Sequence, residues 1–163
     1  MSIQPGDPIP NAKLFDLDDS GTPRTLSASE RLSGKRIVLF AVPGAFTRTC
    51  SEQHLPSFVQ HAEAIKARGI DEIVCIAVSD VMVLAAWARE YDAAGKISML
   101  SDGLCEFTRA LGMEQDLSSR GYGIRSKRYA MLIENGKVAE MRIEPPGAYG
   151  VSSGEAVLQR LGG

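Results

Sequence analysis

The sequence predicts an α/β fold in which a central mixed β-sheet is flanked by helices, and three observations predict it. Two continuous apolar runs rich in Val and Ile, 36–42 (RIVLFAV) and 72–79 (EIVCIAVS), have the character of strands buried on both faces. Each is followed by a helical pattern, giving a β-α-β-α alternation. Further on, 128–134 and 137–143 flank Asn135-Gly136, the dipeptide type that best accepts the two positive φ angles of a tight type I′ hairpin turn. Parallel units followed by an antiparallel hairpin and a last helix make the sheet mixed.

The elements follow in order. The polar stretch 16–35, with DDSGTP and LSGK, reads as turns and not as a domain boundary. The first strong strand ends at Pro43-Gly44. From 49 to 68, the residues Leu55, Phe58, Val59, Ala62, Ile65 and Ala67 approximate one helical stripe, which Gly69 stops. After the second strand, Asp80 caps a helix running over about 81–94. A short strand at 97–100, a short helix at 104–111 closed by Gly112, the hairpin and a helix at 152–161 complete the chain. This is the thioredoxin-like order. Ligands of open α/β sheets gather beyond the carboxyl ends of central strands, so the loop leaving 36–42 directs attention to Cys50.

Composition narrows the function. A chain of 163 residues, 44% apolar and 23% charged, is expected to form one soluble domain, 1–163. The net charge of -2 and the interspersed signs offer no phosphate-binding stripe, so nucleic acid is not an expected partner. No apolar run approaches the roughly 20 residues needed to span a bilayer, and the start MSIQPGDPIP has no basic-then-apolar leader. A cytoplasmic protein without membrane association is expected. Three dispersed cysteines with neither a CxxC pair nor zinc-ligand spacing imply no disulfide scaffold, metal or cofactor.

The segment Pro43-Gly44-Ala45-Phe46-Thr47-Arg48-Thr49-Cys50-Ser51 carries the chemistry. Cys50 falls in the first helical turn, where free N–H groups and the dipole favour a thiolate. A helix end contributes up to about 2 kcal/mol toward an anion when partly buried, so a second positive group is required. Reduction of a peroxide needs an oriented thiolate, and donors for the charge developing on the leaving oxygen. Thr47, three residues before Cys50, sets a hydroxyl beside the sulfur as an acceptor for a peroxide O–H.

The pattern PxxxTxxC formed by Pro43, Thr47 and Cys50, with PGAFTRTCS, EIVCIAVSD and RSKRYAMLIENGKV in order, resembles the peroxiredoxins, and among them the type II or peroxiredoxin 5 type. The resemblance covers nearly the whole chain. It implies a thioredoxin-like fold and a thiol-dependent peroxidase acting on hydrogen peroxide and organic hydroperoxides, in antioxidant defence and redox homeostasis. Cys50 is then the peroxidatic nucleophile, Thr47 the peroxide hydrogen-bonder, Pro43 the shield of the sulfur and Arg128 its electrostatic partner, with Arg125 as the rival for that last role. Cys50 becomes a sulfenic acid recycled by glutathione and glutaredoxin or by thioredoxin. Cys75 is the candidate resolving thiol, although its apolar run also fits an inert core cysteine, and external resolution is favoured. Phe46 lines the substrate pocket or a homodimer contact, or packs beneath the loop. The chain departs from the family at Arg48, where proline is usual.

Other residues receive plainer readings. His54 lies on the face of Cys50 and is expected to be a solvent or packing histidine; Cys105 is incidental, and Trp87 packs a helix on the sheet. Two alternatives to a peroxidase are a thioredoxin-like disulfide reductase and a non-enzymatic peroxide sensor. Thr47 occupies the place where the reductase would need its first cysteine, and a sensor would stop after one equivalent of peroxide.

Overall fold

Residues 2–162 are described by a computed structural model. Its strands are β1 (Lys13–Leu17), β2 (Pro23–Ser27), β3 (Arg36–Val42), β4 (Glu72–Ala77), β5 (Ser98–Ser101), β6 (Glu114–Asp116), β7 (Ile124–Ser126), β8 (Tyr129–Glu134) and β9 (Lys137–Ile143). Its α-helices are α1 (Ala28–Arg31), α2 (Leu55–Ala67), α3 (Val81–Glu90), α4 (Glu106–Leu111) and α5 (Gly154–Leu161). Seven strands form one sheet in the order β2-β1-β5-β4-β3-β8-β9, and β6 and β7 form a separate ribbon. β3, β4 and β5 run parallel, while β8 is antiparallel to β3. The expected mixed sheet is therefore present, with β3 at the switch between the two senses.

Alternation along the central strands divides the interior into two apolar layers. Ile37, Leu39, Ala41, Val74 and Ile76 face one layer, which Ala28, Leu32, Phe107 and Leu111 close. Val38, Phe40, Val42, Ile73, Cys75 and Ala77 face the other, with Phe58 and Ile65 of α2, Leu84 and Trp87 of α3 and Val157 of α5. Burial on both faces explains why β3 and β4 read as unbroken apolar runs. The hairpin also forms as expected: Asn135 (φ 49) and Gly136 (φ 80) both occupy the left-handed region.

The segment 16–35 corrects the sequence reading. It carries the end of β1, all of β2 and α1, and DDSGT is the connection of a hairpin in which Asp16 faces Arg24. The Arg24 guanidinium donates to both Asp16 oxygens at 2.9 Å. β2 is an edge strand with an exposed face, so its sequence has no apolar run by which to announce itself.

Ahead of α2 the chain is already helical at 48 and 49, and Cys50–His54 forms a π-helical turn. The Leu55 N–H donates to the carbonyl of Cys50, five residues back. Pro56 supplies the reason. A proline inside a helix offers no N–H and its ring collides with the carbonyl four residues earlier, and a widened turn removes that collision. The Ser57 hydroxyl donates to the His54 carbonyl at 2.7 Å and accepts from the Gly154 N–H at 2.9 Å, which docks α5 on α2.

That junction leaves no space for a side chain at 154. A Cβ there would lie 2.7 Å from the Ser57 carbonyl carbon and 3.0 Å from the Phe58 nitrogen, both backbone atoms. Gly154→Ala is expected to lower stability by about 2 kcal/mol or more through overpacking. Gly150→Ala, with nothing within 4 Å of its Cβ, is expected to change it by less than about 0.5 kcal/mol. Urea denaturation of the two variants compares the costs.

Candidate active site

The register of the central strands assembles the site. Ala41 of β3 faces Tyr129 of β8, so the residue preceding β8, Arg128, lies next to the carboxyl end of β3. The loop 43–47 leaves that same end and turns into the helix bearing Cys50. Residues 78 apart thereby meet: Arg128 Nη2 donates to Cys50 Sγ at 3.1 Å. The Ser51 N–H donates to the Thr47 carbonyl at 2.9 Å, which places Cys50 within the first helical turn. A buried sulfur at a helix start, touched by a guanidinium, is a place where negative charge is stabilised from two sides.

The guanidinium has a second partner that the sequence reading did not assign. Arg128 Nη1 lies 2.8 Å from His54 Nδ1, and His54 Nε2 lies 2.9 Å from the Ser152 carbonyl. Because a carbonyl only accepts, Nε2 carries the proton and Nδ1 receives the bond from arginine. His54 is fully buried, with rings of Phe40, Phe58 and Tyr149 around it. It is neither a solvent histidine nor filler alone. Burial and then the charge of Arg128 push its pKa down to about 3, so the ring is neutral at physiological pH. Its position four residues from Cys50 was visible in the sequence; the partner 98 residues away was not.

Behind His54 the network reaches the C-terminal segment. One oxygen of the Glu144 carboxylate accepts from Gly150 N–H, Ser152 N–H and Ser152 Oγ at 2.7–2.8 Å, while the Glu144 N–H donates to the Arg128 carbonyl at 3.0 Å. Burial opposes the Glu144 charge, but donors from Ser152 and Gly150 together outweigh it and hold the carboxyl below its usual range. The Tyr149 ring lies 6.0 Å from the Arg128 guanidinium carbon, in cation–π range.

The loop residues have distinct tasks. Thr47 Oγ1 donates to the Gly44 carbonyl at 2.7 Å. Its proton is therefore committed and the oxygen is left to accept. Arg125 does not contact the sulfur: it donates from Nε to the Tyr122 carbonyl at 2.9 Å and from Nη1 to the Pro43 carbonyl at 3.4 Å, bracing the loop. Phe46, at φ 61 and half exposed, packs edge-on to Tyr91 and is not core beneath the loop. Trp87 does pack in the core and also donates from its indole to Ser51 Oγ at 2.9 Å, tying α3 to the turn that bears Cys50.

Pro43, Thr47 and Arg128 lie along an open groove of about 700 Å³, whose rim includes Arg48, Gln115, Arg120, Tyr122 and Lys127. Much of that rim belongs to 114–126, where no apolar periodicity announces the β6–β7 ribbon. Arg48 is almost fully exposed and its Nε lies 3.6 Å from a Glu52 oxygen. Cys75 is a free thiol in β4, wholly buried in the same apolar layer as Cys50. Burial, with Cys50 adding to it, pushes the Cys75 thiol well up. Cys105 stands at the N-cap position of α4 at φ 58, with no side-chain cap bond.

A fold of this order with a guanidinium-bound cysteine at the end of β3 defines a redoxin, and the redoxin family model matches residues 4–158. Peroxiredoxin-2C of Oryza sativa subsp. japonica is 44% identical over 96% of both chains. Reduced Prx3 from Vibrio vulnificus, solved in complex with H2O2, is 43% identical, with a TM-score of 0.93 over 98% of this chain and 99% of that one. Peroxiredoxin 5 from Alvinella pompejana is 36% identical, with a TM-score of 0.85 over 98% of each. The chain belongs to the peroxiredoxins, the thiol-dependent peroxidases of the redoxin family.

The buried neutral histidine makes stability depend on pH in a definite sense. Unfolded, His54 takes up a proton near its ordinary 6.5; folded, it does so only near 3. Between those values the unfolded chain binds the extra proton, so the contribution of His54 is complete above about pH 6.5 and is lost as pH falls toward 3. Removing this group with His54→Leu is expected to flatten the stability profile in that window by up to about 1.4 kcal/mol per pH unit. Denaturant titrations of both proteins across the window measure the difference, and equal slopes contradict the assignment.

Proposed function

We propose that Cys50 is the peroxidatic nucleophile, with Arg128 and Thr47 as the groups that receive the peroxide. The observation that carries this reading is the Arg128 Nη2 donation to Cys50 Sγ at 3.1 Å beside a threonine whose proton is already committed. The thiolate attacks the hydroxyl oxygen of the peroxide, a sulfur–oxygen bond forms as the O–O bond breaks, and the departing oxygen takes a proton from solvent in the open groove to leave as water or an alcohol. Cys50 is left as a sulfenic acid. Arginine donates to the oxygen on which charge develops, Thr47 accepts from the peroxide O–H, and Pro43 shields the sulfur from bulk solvent. Hydrogen peroxide and small organic hydroperoxides are the substrates, in keeping with the H2O2 bound by the Vibrio vulnificus relative.

Recycling comes from an external thiol. A first thiol condenses with the sulfenic acid, releasing water and leaving a mixed disulfide; a second attacks that disulfide and restores Cys50. The burial and raised pKa of Cys75 support this route, because the thiolate is the attacking form and Cys75 stays protonated. Arg48, Arg120 and Lys127 on the groove rim suit a reductant with carboxylates, as glutathione has, over thioredoxin. Cys50→Ser is expected to lower steady-state peroxide consumption by more than about a thousandfold. Cys75→Ser is expected to stay within about threefold of the parent with glutathione and glutaredoxin. Arg120→Glu is expected to slow only the glutathione-dependent step, by about fivefold at low salt. Turnover in Cys50→Ser, or arrest after one equivalent in Cys75→Ser, overturns the corresponding assignment.

We also propose that the protein is a homodimer to which Phe46 contributes. The support is an aromatic ring half exposed beside Tyr91, apart from the residues that line the groove. Sedimentation equilibrium is expected to give twice the chain mass for the parent and a dissociating species for Phe46→Asp. A monomeric parent removes the dimer, and an equally stable Phe46→Asp dimer removes Phe46 from its contact.

A further inference from the structure

We propose that His54 is a positioning residue for the peroxidase reaction: its neutral ring accepts from Arg128 at Nδ1 and thereby fixes the orientation in which the guanidinium serves Cys50. The inference rests on the reading of Cys50 as nucleophile. Arg128 spends one terminal nitrogen on His54 at 2.8 Å and the other on the sulfur at 3.1 Å, so the ring sets the plane and height of the fork. The ring cannot rotate freely. Its Nε2–H is held by the Ser152 carbonyl at 2.9 Å, and the Ser152 amide and hydroxyl are anchored by Glu144. The Glu144 N–H then donates to the backbone carbonyl of Arg128 itself. The chain of bonds closes on the residue it positions.

A guanidinium without this acceptor keeps its charge near the sulfur but samples other rotamers, and arginine is rich in them. Thiolate stabilisation falls only in part. Donation to the leaving oxygen, which needs fixed direction, falls more.

Two substitutions separate positioning from packing. His54→Asn places an amide oxygen close to the position of Nδ1 and loses volume among Phe40, Phe58 and Tyr149. His54→Leu preserves apolar volume and has no acceptor. Positioning predicts that the second-order rate of Cys50 oxidation by hydrogen peroxide stays within about fivefold of the parent in His54→Asn and falls about 10- to 100-fold in His54→Leu, the range of a lost charge-assisted hydrogen bond. Melting temperature is expected in the reverse order, with His54→Leu the more stable of the two. In an Arg128→Lys background, His54→Leu is expected to cost less than about twofold more, since a group acting through Arg128 has nothing left to orient. A His54→Leu rate equal to or above that of His54→Asn, or a full additional loss on Arg128→Lys, overturns the proposal. Failure of the Cys50 assignment would appear separately, as oxidation surviving in Cys50→Ser.

Discussion

The site depends on a single half-buried guanidinium that must be held between a sulfur and an imidazole. A cation removed from water is tolerated only when its donors find acceptors, and both terminal nitrogens of Arg128 do. Several features of the fold follow from that requirement. The antiparallel register of β3 and β8 carries Arg128 to the end of the strand from which the cysteine loop departs. The C-terminal segment folds back to supply the Ser152 carbonyl, and Tyr149 offers the face of its ring to the same charge.

The π-helical turn links a local sequence feature to this arrangement. Pro56 prevents an ordinary α-turn from running through 52–56, and the widened turn keeps both Cys50 and His54 directed at Arg128. Ser57 completes the device by donating its hydroxyl to the His54 carbonyl and by receiving the first amide of α5. Trp87 approaches from the other side through Ser51. Helices α3 and α5 thus brace the segment 51–57, and the precision of the sulfur derives from their packing as much as from its direct partner.

How much of this the sequence disclosed depended on the range of the interaction responsible. β3, its loop and the following helix were legible because apolar periodicity and Pro43-Gly44 are local signals. The β8–β9 hairpin was legible from Asn135-Gly136. The β1–β2 hairpin was not, since an exposed edge is stabilised by pairs such as Arg24 with Asp16 that leave no periodic trace. Arg128 was preferred to Arg125 by family resemblance alone; the register of β3 on β8, a contact between distant segments, is what physically separates a guanidinium on the sulfur from one on the Pro43 carbonyl. His54 was underestimated for the same reason. Its spacing from Cys50 showed the face it occupied, but the Ser152 carbonyl that holds its ring and the Tyr149 ring that covers it come from a distant segment, and nothing near residue 54 encodes them.

The chemical identity of the group behind Arg128 also matters. A carboxylate there would orient the guanidinium well, but it would offset the positive charge that a thiolate needs within a few ångströms, where a low-dielectric setting magnifies both attraction and repulsion. A neutral imidazole accepts the same hydrogen bond and leaves the charge in place. Burial is what guarantees that neutrality, since it drives the ring's protonation far below physiological pH. The carboxylate that the network does contain, Glu144, is one residue further back, with its hydrogen bonds directed to Gly150 and Ser152. Orientation is therefore relayed to Arg128 through neutral groups, while its charge stays available to the sulfur.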